Sequence, residues 1–316
     1  MADGIKVNIE SRGLEFVALA YGQECVSGIG SCAERDIVIP AVHKRLFSSK
    51  PVFAIGDGAF NGCRSIRSVI AQNGLVRVGE NAFSYCSELN FIELPNTTEH
   101  IGDKAFFSCG GLTSFDFPRS VKYIGRGAFA LCRAIVSVKL PASVNYIGDG
   151  AFSGCDSLLN IEVDENNEKY YSEGNCIIET KTGTLVAACY GSIIPDDGSV
   201  RTIGESAFSG LRLLREINIP DSVERIGESA FCSCVGLERV SIPPSVTHIG
   251  ESAFSGCAGL FEVHIPASVK KIGKWAFDHC EGLSDVYYDG TKEMWDAIEI
   301  GDNNEPLTEA RLHVLP

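Results

Sequence analysis

The sequence predicts a repeat solenoid, a right-handed coil of short parallel β-strands with a period of 23 residues and capped ends. Three observations predict it. The string Ile-Gly-x-x-Ala-Phe begins at Ile55, Ile101, Ile124, Ile147, Ile203, Ile226, Ile249 and Ile272, with a valine variant at Val78. Cysteine follows the phenylalanine by three residues in eight of these nine copies. An apolar-x-x-apolar-x-apolar element comes next, usually closed by proline, as in Leu260-x-x-Val263-x-Ile265-Pro266. A unit of this size cannot bury its own core, but stacked copies can cover one another.

Each column has a physical reading. The apolar-x-apolar alternation is that of a strand with one buried face. Proline has no N–H for a ladder and ends that strand, as at Pro95, Pro118, Pro141, Pro220, Pro243 and Pro266. The glycine of Ile-Gly is expected to supply a tight bend. Ala-Phe points a small and a large residue into the coil. Phe60, Phe83, Phe106, Phe129, Phe152, Phe208, Phe231, Phe254 and Phe277 are therefore expected to form one continuous internal stack. Strands about 4.8 Å apart give ten or so coils a length on the order of 50 Å.

Thirteen cysteines cannot all pair within one chain. In-register stacking sets the column of Cys63, Cys86, Cys109, Cys132, Cys155, Cys234, Cys257 and Cys280 about 5 Å apart at Cα, but the Cβ vectors then point the same way. The Cβ atoms also stay near ~5 Å, beyond the ~3.5–4.5 Å of a disulfide. These eight are read as buried free thiols packing as small hydrophobes. At most two disulfides are expected, with Cys25–Cys32 and Cys176–Cys189 left open as pairs.

One continuous solenoid domain is expected, in five parts. Residues 1–54 form an N-terminal cap and lead-in coil, in which Leu14–Ala20 pairs as a capping hairpin and Asp36-Ile-Val-Ile-Pro40 begins the strand column. Five regular repeats fill 55–163. The step from Ile147 to Ile203 exceeds two periods by ten residues, so 164–202 is read as an irregular coil. It has a polar loop from Asp164 and a projecting hairpin built from Cys176–Glu179 and Thr184–Cys189. Four regular repeats fill 203–288. Residues 289–316 form a C-terminal cap, with a short helix over Lys292–Ile298 and a last strand at Arg311–Val314.

These repeats resemble the BspA-like class of leucine-rich repeat. Gly227 to Val246 follows the unit almost residue for residue, and the resemblance runs directly from Ile55 to Tyr288. Both flanks are similar to the family's ends, through Val26-Ser-Gly-Ile-Gly30 and Val286-Tyr-Tyr-Asp-Gly-Thr-Lys-Glu-Met-Trp-Asp-Ala-Ile298. The resemblance implies a leucine-rich-repeat type solenoid, a bacterial source, surface adhesion and protein binding. A secreted or cell-surface location follows from the resemblance alone. No signal peptide or anchor is visible in this sequence and none is expected in it, which leaves a cytoplasmic location open.

Composition excludes some partners. The formal net charge of −14 argues against nucleic acid, which needs clustered Lys and Arg, and against an anionic membrane surface. No run approaches 18 apolar residues, so no membrane insertion is expected. Catalytic strings such as His-Glu-x-x-His, Gly-x-Ser-x-Gly and the phosphate loop are missing. Ser268-Val-Lys-Lys271 lies in an ordinary repeat segment and reads as chance. No enzyme activity, cofactor or metal is expected, and the chain is read as a monomer.

Repeated apolar positions are committed to packing, so a partner would meet the variable columns. On the strand these flank the central apolar residue and supply Phe91, Glu93, Asp116, Lys139, Glu162, Arg239, His264 and Tyr287. A second stripe precedes Ile-Gly and places His100, Tyr123 and Tyr146 in consecutive coils. It forms either an aromatic platform or a self-stack that stiffens the rod. The leading reading is a protein-interaction or adhesion module that binds a host or matrix protein or a glycan. The alternatives are a structural spacer in a larger surface protein and an enzyme with a noncontiguous site at the irregular coil.

Overall fold

The computed structural model describes residues 11–315, and these wind about eleven turns of a β-solenoid with parallel strands about 23 residues apart. The part of the expected N-terminal cap before residue 11 lies outside the described residues. Coils meet their neighbours along two separate ladders, the outer one interrupted at the coils of Asp116 and Asn218. One uses the apolar-x-apolar strands, as where Ser137–Leu140 pairs with Asn160–Val163. The other uses the residue pair ending in the isoleucine of Ile-Gly. Arg77–Val78, His100–Ile101, Tyr123–Ile124 and Tyr146–Ile147 pair in parallel there, as do Thr202–Ile203, Arg225–Ile226, His248–Ile249 and Lys271–Ile272.

The Ile-Gly glycine does not make the bend expected of it. The left-handed residues of the turn lie elsewhere, two residues after that glycine (Asn81, Lys104, Ser229) and two after the phenylalanine (Tyr85, Ser108, Leu131). Glycine is needed because coils touch there backbone to backbone. A Cβ on Gly102 would sit 2.7 Å from the carbonyl carbon of Gly79, and one on Gly125 would sit 2.4 Å from the amide of Asp103.

All nine phenylalanines of the column are buried, but they form two stacks. Phe60, Phe83, Phe106, Phe129 and Phe152 stack at centroid spacings of 5.1, 5.4, 5.2 and 5.6 Å. Phe208, Phe231, Phe254 and Phe277 stack at 4.9, 5.1 and 5.2 Å. The break is a wedge. On the turn side Gly154 N–H donates directly to Ser209 O at 3.0 Å. Inside, the amide of Ala188 takes the carbonyl of Ala207 at 3.0 Å, the bond a phenylalanine amide makes in regular coils (Phe129 to Ala151, 2.8 Å). Small alanines thus occupy the slot between Phe152 and Phe208.

That wedge also corrects the projecting hairpin. Cys176–Glu179 and Thr184–Ala188 pair antiparallel, but with Tyr170–Glu173 they form a meander continued in parallel by Thr202–Ile203. Cys176, Ile177, Ile178, Leu185 and Ala187 are buried. A hairpin this apolar is stabilised by lying within the rod.

The hairpin that does project is in the N-terminal cap. Strands β1 (Glu15–Ala18) and β2 (Glu24–Gly28) pair antiparallel, and β3 (Asp36–Ile39) opens the outer ladder beside Ser68–Ala71. Strand β4 (Val42–Arg45) pairs antiparallel with the first half of β5 (Ser48–Ile55), whose second half joins β2 in parallel. Buried Glu24 holds the base through His43 Nδ1 and an Arg45 guanidinium nitrogen, both at 2.7 Å.

At the other end, helix α1 (Lys292–Asp296) is capped by Thr291, whose Oγ1 accepts from Met294 N–H, and it buries Trp295 against Tyr288. A second short helix, Glu305–Glu309, precedes the last strand, Arg311–Val314, which pairs with Asp285–Asp289. Buried Asn304 stands in for a further coil. Its Oδ1 accepts the Phe277 amide at 2.9 Å and its Nδ2 donates to Gly273 O at 2.9 Å.

All thirteen cysteines are free thiols. Neither Cys25–Cys32 nor Cys176–Cys189 is bridged. The Cys176 thiol faces the carbonyls of Gly174 and Ile193, and the Cys189 thiol those of Asn175 and Tyr190.

Candidate functional site

The strand period of two turns alternate side chains outward, and the predicted strand-column residues fall into two clusters, the N-terminal one spread over two outer sheets and the C-terminal one on a third. In the N-terminal cluster, Phe91 and Glu93 are exposed on one strand, in register with Ser68 and Ile70. Lys139 and Glu162 are exposed in register on neighbouring strands, with Nζ and Oε2 3.7 Å apart. Small Ser68 beside Phe91 leaves that side of its ring open.

Asp116 is exposed between buried Phe115 and half-buried Phe117, in a segment with no strand. The outer ladder breaks here, as it does again at the coil of Ile217 and Ile219. Phe115 and Phe117 stand where neighbouring coils carry Ile92 and Leu94 or Val138 and Leu140, and both rings pack edge-on against Phe129 of the internal stack. A groove of about 270 Å³ opens at the break, lined by Phe115, Asp116, Phe117, Arg119, Lys139, Leu140, Pro141 and Asp164. Asp116 and Lys139 stand on its walls. Arg119 and Asp164 were not anticipated as lining residues, because they reach the groove from strand ends.

The C-terminal cluster is more self-engaged. Arg239 pairs with Glu262 at 3.8 Å and lies 4.9 Å above the Phe261 ring. His264, Tyr287 and His313 stack at 4.6 and 4.5 Å, and His313 Nε2 meets Asp285 Oδ1 at 2.8 Å. That contact, together with Ser284, holds the Asp285 carboxyl below the usual carboxylate range. His313 was missed in the sequence because its coil is 26 residues long rather than 23.

His100, Tyr123 and Tyr146 lie on the other ladder and stack at 4.3 and 4.6 Å with nearly parallel rings. Arg77 is in register on the outer side of His100. Burial, and secondarily this arginine, lowers the His100 pKa. Rings stacked in this way cover one another's faces and leave edges to solvent.

Among the described residues no group of three or more His, Cys, Asp or Glu could hold a metal ion, and no helix is long and apolar enough to cross a membrane. Ser268 and Lys271 do not act as a pair. The serine donates to Val246 O at 2.8 Å and the lysine to Glu299 at 2.7 Å.

The repeat geometry agrees with known proteins. Residues 54–175 and 191–296 match the model of the BspA type leucine rich repeat region, in six copies. The chain belongs to the BspA-type leucine-rich repeat family. Its fold is similar to that of a leucine rich cell surface protein from Faecalibacterium prausnitzii, at 25% identity and a TM-score of 0.58, over 94% of this chain and 99% of that one. A leucine-rich repeat protein from Bacteroides ovatus is similar at 25% identity and a TM-score of 0.61, over 97% and 78%. One from Eubacterium ventriosum shares the fold at 22% identity and a TM-score of 0.77, over 97% and 83%. No curated protein matches the chain. BspA-type repeats of this kind are consistent with a protein-interaction module.

Proposed function

We propose that this BspA-type chain is an adhesion or protein-binding module that engages a macromolecular partner through its N-terminal outer face, around the groove between Asp116 and Lys139. The observation that carries this reading is the broken ladder. At that point the repeat gives up strand pairing and presents a concavity, two carboxylates without ion pairs among the described residues (Glu93 and Asp116), and an exposed aromatic, Phe91. Exposed charges are individually weak, so several must act together with an aromatic anchor. The overall charge of −14 favours a basic or amide-rich protein over a glycan. A secreted or surface location is supported by the surface assignment of the Faecalibacterium relative.

A spacer is the second reading. It is favoured by ion pairs that tie residues 23 apart in neighbouring coils, such as Lys122–Glu99, Arg126–Asp149, Arg201–Glu224 and Arg215–Glu238.

The test is a pull-down with the chain, followed by the triple variant Glu93→Lys, Asp116→Lys, Glu162→Lys against the captured partner. Binding should weaken at least about tenfold and should fall with salt in the parent, since exposed charges are screened within about 8 Å at physiological ionic strength. Undiminished binding by the folded variant at low salt would remove this face as the site.

A further inference from the structure

We propose that the second interruption of the outer ladder, between the coils of Ile194 and Ile219, docks an extended segment of a partner protein. That segment pairs there as an added β-strand and carries an aliphatic side chain beside a basic one. The register of the two coils follows from Ile194-Pro195 and Ile219-Pro220, which end them in the same way. It sets Ser192 opposite Ile217, at the central strand position held by Ile161, Val240, Val263 and Val286 in other coils. Those four are buried, whereas Ile217 is half-buried. A groove of about 470 Å³ lies beside it, lined by Ser192, Ile193, Ile194, Glu216, Ile217 and Asn218.

The main chain along this groove lacks partners. In regular coils the residue after the repeat's leucine donates to its counterpart one coil earlier, as Leu159 does to Val136, Glu238 to Arg215 and Phe261 to Glu238, at 2.9, 2.9 and 3.0 Å. Arg215 makes no such bond to Tyr190. Instead the Tyr190 phenol oxygen accepts the Leu213 amide at 2.9 Å, a side chain standing where coils otherwise meet through main chain. The preceding coil is turned the other way. Ile193 N–H donates to Gly174 O at 2.8 Å, and Ser192 Oγ donates to Asn175 O at 2.6 Å while accepting from Cys189 N–H at 2.9 Å. Among the described residues, the amides of Arg215, Glu216, Ile217, Asn218 and Ile219 donate to no protein group. The strand on their far side, Arg239–Ser241, pairs with Glu262–Pro266 and not with them.

These features select an extended peptide. A run of main-chain donors without partners binds another main chain whatever its sequence, and alternate side chains then set specificity. A helix satisfies its own main chain and would leave these amides as they are. Half-buried Ile217 and exposed Ile193 offer an aliphatic surface beside the serine that replaces an aliphatic residue. Glu216 is the one charged residue lining the groove, exposed and without an ion pair among the described residues. Arg215 beside it is taken by Glu238 at 3.3 Å, and Asp196 and Asp197 follow Pro195 at the end of the other wall. A carboxylate in this setting calls for a lysine or arginine on the incoming strand.

The experiment is selection from a phage-displayed library of random peptides on the full chain, followed by fluorescence anisotropy with a selected peptide made synthetically. Selected sequences should alternate aliphatic residues with others and carry Lys or Arg. The bound peptide should protect the amides of Glu216, Ile217 and Asn218 from hydrogen exchange. Asn218→Pro removes an amide that has no partner in the chain, so the melting temperature should hold, while affinity should fall at least about tenfold. Glu216→Lys should weaken binding to a similar degree, and binding to the parent should weaken with salt. Methylating alternate main-chain nitrogens of the peptide should abolish binding. Failure to select any peptide, selected sequences without basic residues, parent-like binding by folded Asn218→Pro or by the methylated peptide, or protection elsewhere on the rod would each overturn the proposal. Protection of these amides that rises with protein concentration alone would overturn it too, because the occupant is then a second copy of the chain. None of these outcomes bears on the groove at Asp116, which shares no lining residue with this one.

Discussion

The thiol of Cys109 donates to the carbonyl oxygen of Phe83, 3.1 Å away and 26 residues earlier in the chain. The same bond joins Cys86 to Phe60, Cys132 to Phe106, Cys155 to Phe129, Cys234 to Phe208, Cys257 to Phe231 and Cys280 to Phe254. Each phenylalanine carbonyl already accepts the amide of the residue three on, as Phe83 does from Cys86 and Phe208 from Leu211. Cysteine therefore serves the column twice, as a small hydrophobe and as a weak donor that pins one coil to the one before it.

Buried, hydrogen-bonded thiols should be inert in the native state. Only Cys63 and Cys232 are more than marginally accessible. Titration with a thiol reagent at neutral pH should therefore label about two cysteines in the native protein and all thirteen in denaturant without reductant. Rapid native labelling of five or more would contradict the packing described.

The same burial makes the protein sensitive to alkali. Desolvation pushes the thiols of Cys86, Cys155, Cys234 and Cys280 from their ordinary value of 9.0 up to about 12. Between pH 9 and 12 the unfolded chain loses these protons and the native chain keeps them. Stability is thus intact below pH 9 and falls as pH rises, by about 1.4 kcal/mol per pH unit for each such thiol. Melting temperature followed from pH 8 to 11 should drop steeply, and Cys234→Ala should flatten the slope. A pH-independent melting temperature over that range would contradict it.

Members of the N-terminal phenylalanine stack differ in what surrounds them. Phe106 has a ring on each side, at 5.4 and 5.2 Å, and Phe106→Ala should cost about 3–5 kcal/mol. Phe152 has a stacking partner only at 5.6 Å, Phe129, and faces the alanine wedge on its other side. Phe152→Ala should therefore cost measurably less in urea denaturation. Equal costs would imply one uninterrupted stack.

Gly102→Ala would bring a Cβ within 2.7–2.9 Å of Gly79 and Glu80 backbone atoms, which cannot give way independently. The expected loss is about 1–3 kcal/mol, the range for overpacking. Gly62→Ala, at φ 73 but with open space around it, meets only the left-handed penalty of about 1–2 kcal/mol. Chemical denaturation of the two variants should rank Gly102→Ala as the more damaging.

The candidate site was partly legible in the sequence. Phe91, Glu93, Asp116, Lys139 and Glu162 could be placed outward because a strand alternates with period two, and they are exposed. The groove was not legible. It lies at the coil of Phe115 and Phe117, where the outer ladder is interrupted, and its walls come from residues 23 to 49 positions apart. His313 was hidden by the longer last coil. The hairpin at Leu46–Phe47 carries no turn signature, whereas Lys181-Thr-Gly183, which does, lies in a meander that folds back into the rod.

What the sequence by itself determined is everything that repeats: the period, the buried Phe and Cys columns, the free thiols and the outward columns. A translationally repeated unit meets the same neighbour each time, so one coil's pattern specifies all of them. What only the tertiary structure decided is where that symmetry fails: the second ladder at Ile-Gly, the backbone contact that demands glycine, the alanine wedge between Phe152 and Phe208, and the break beside Asp116. Each depends on how the volume and backbone of one coil fit those of another, and that fit is a property of two segments together that neither segment states alone.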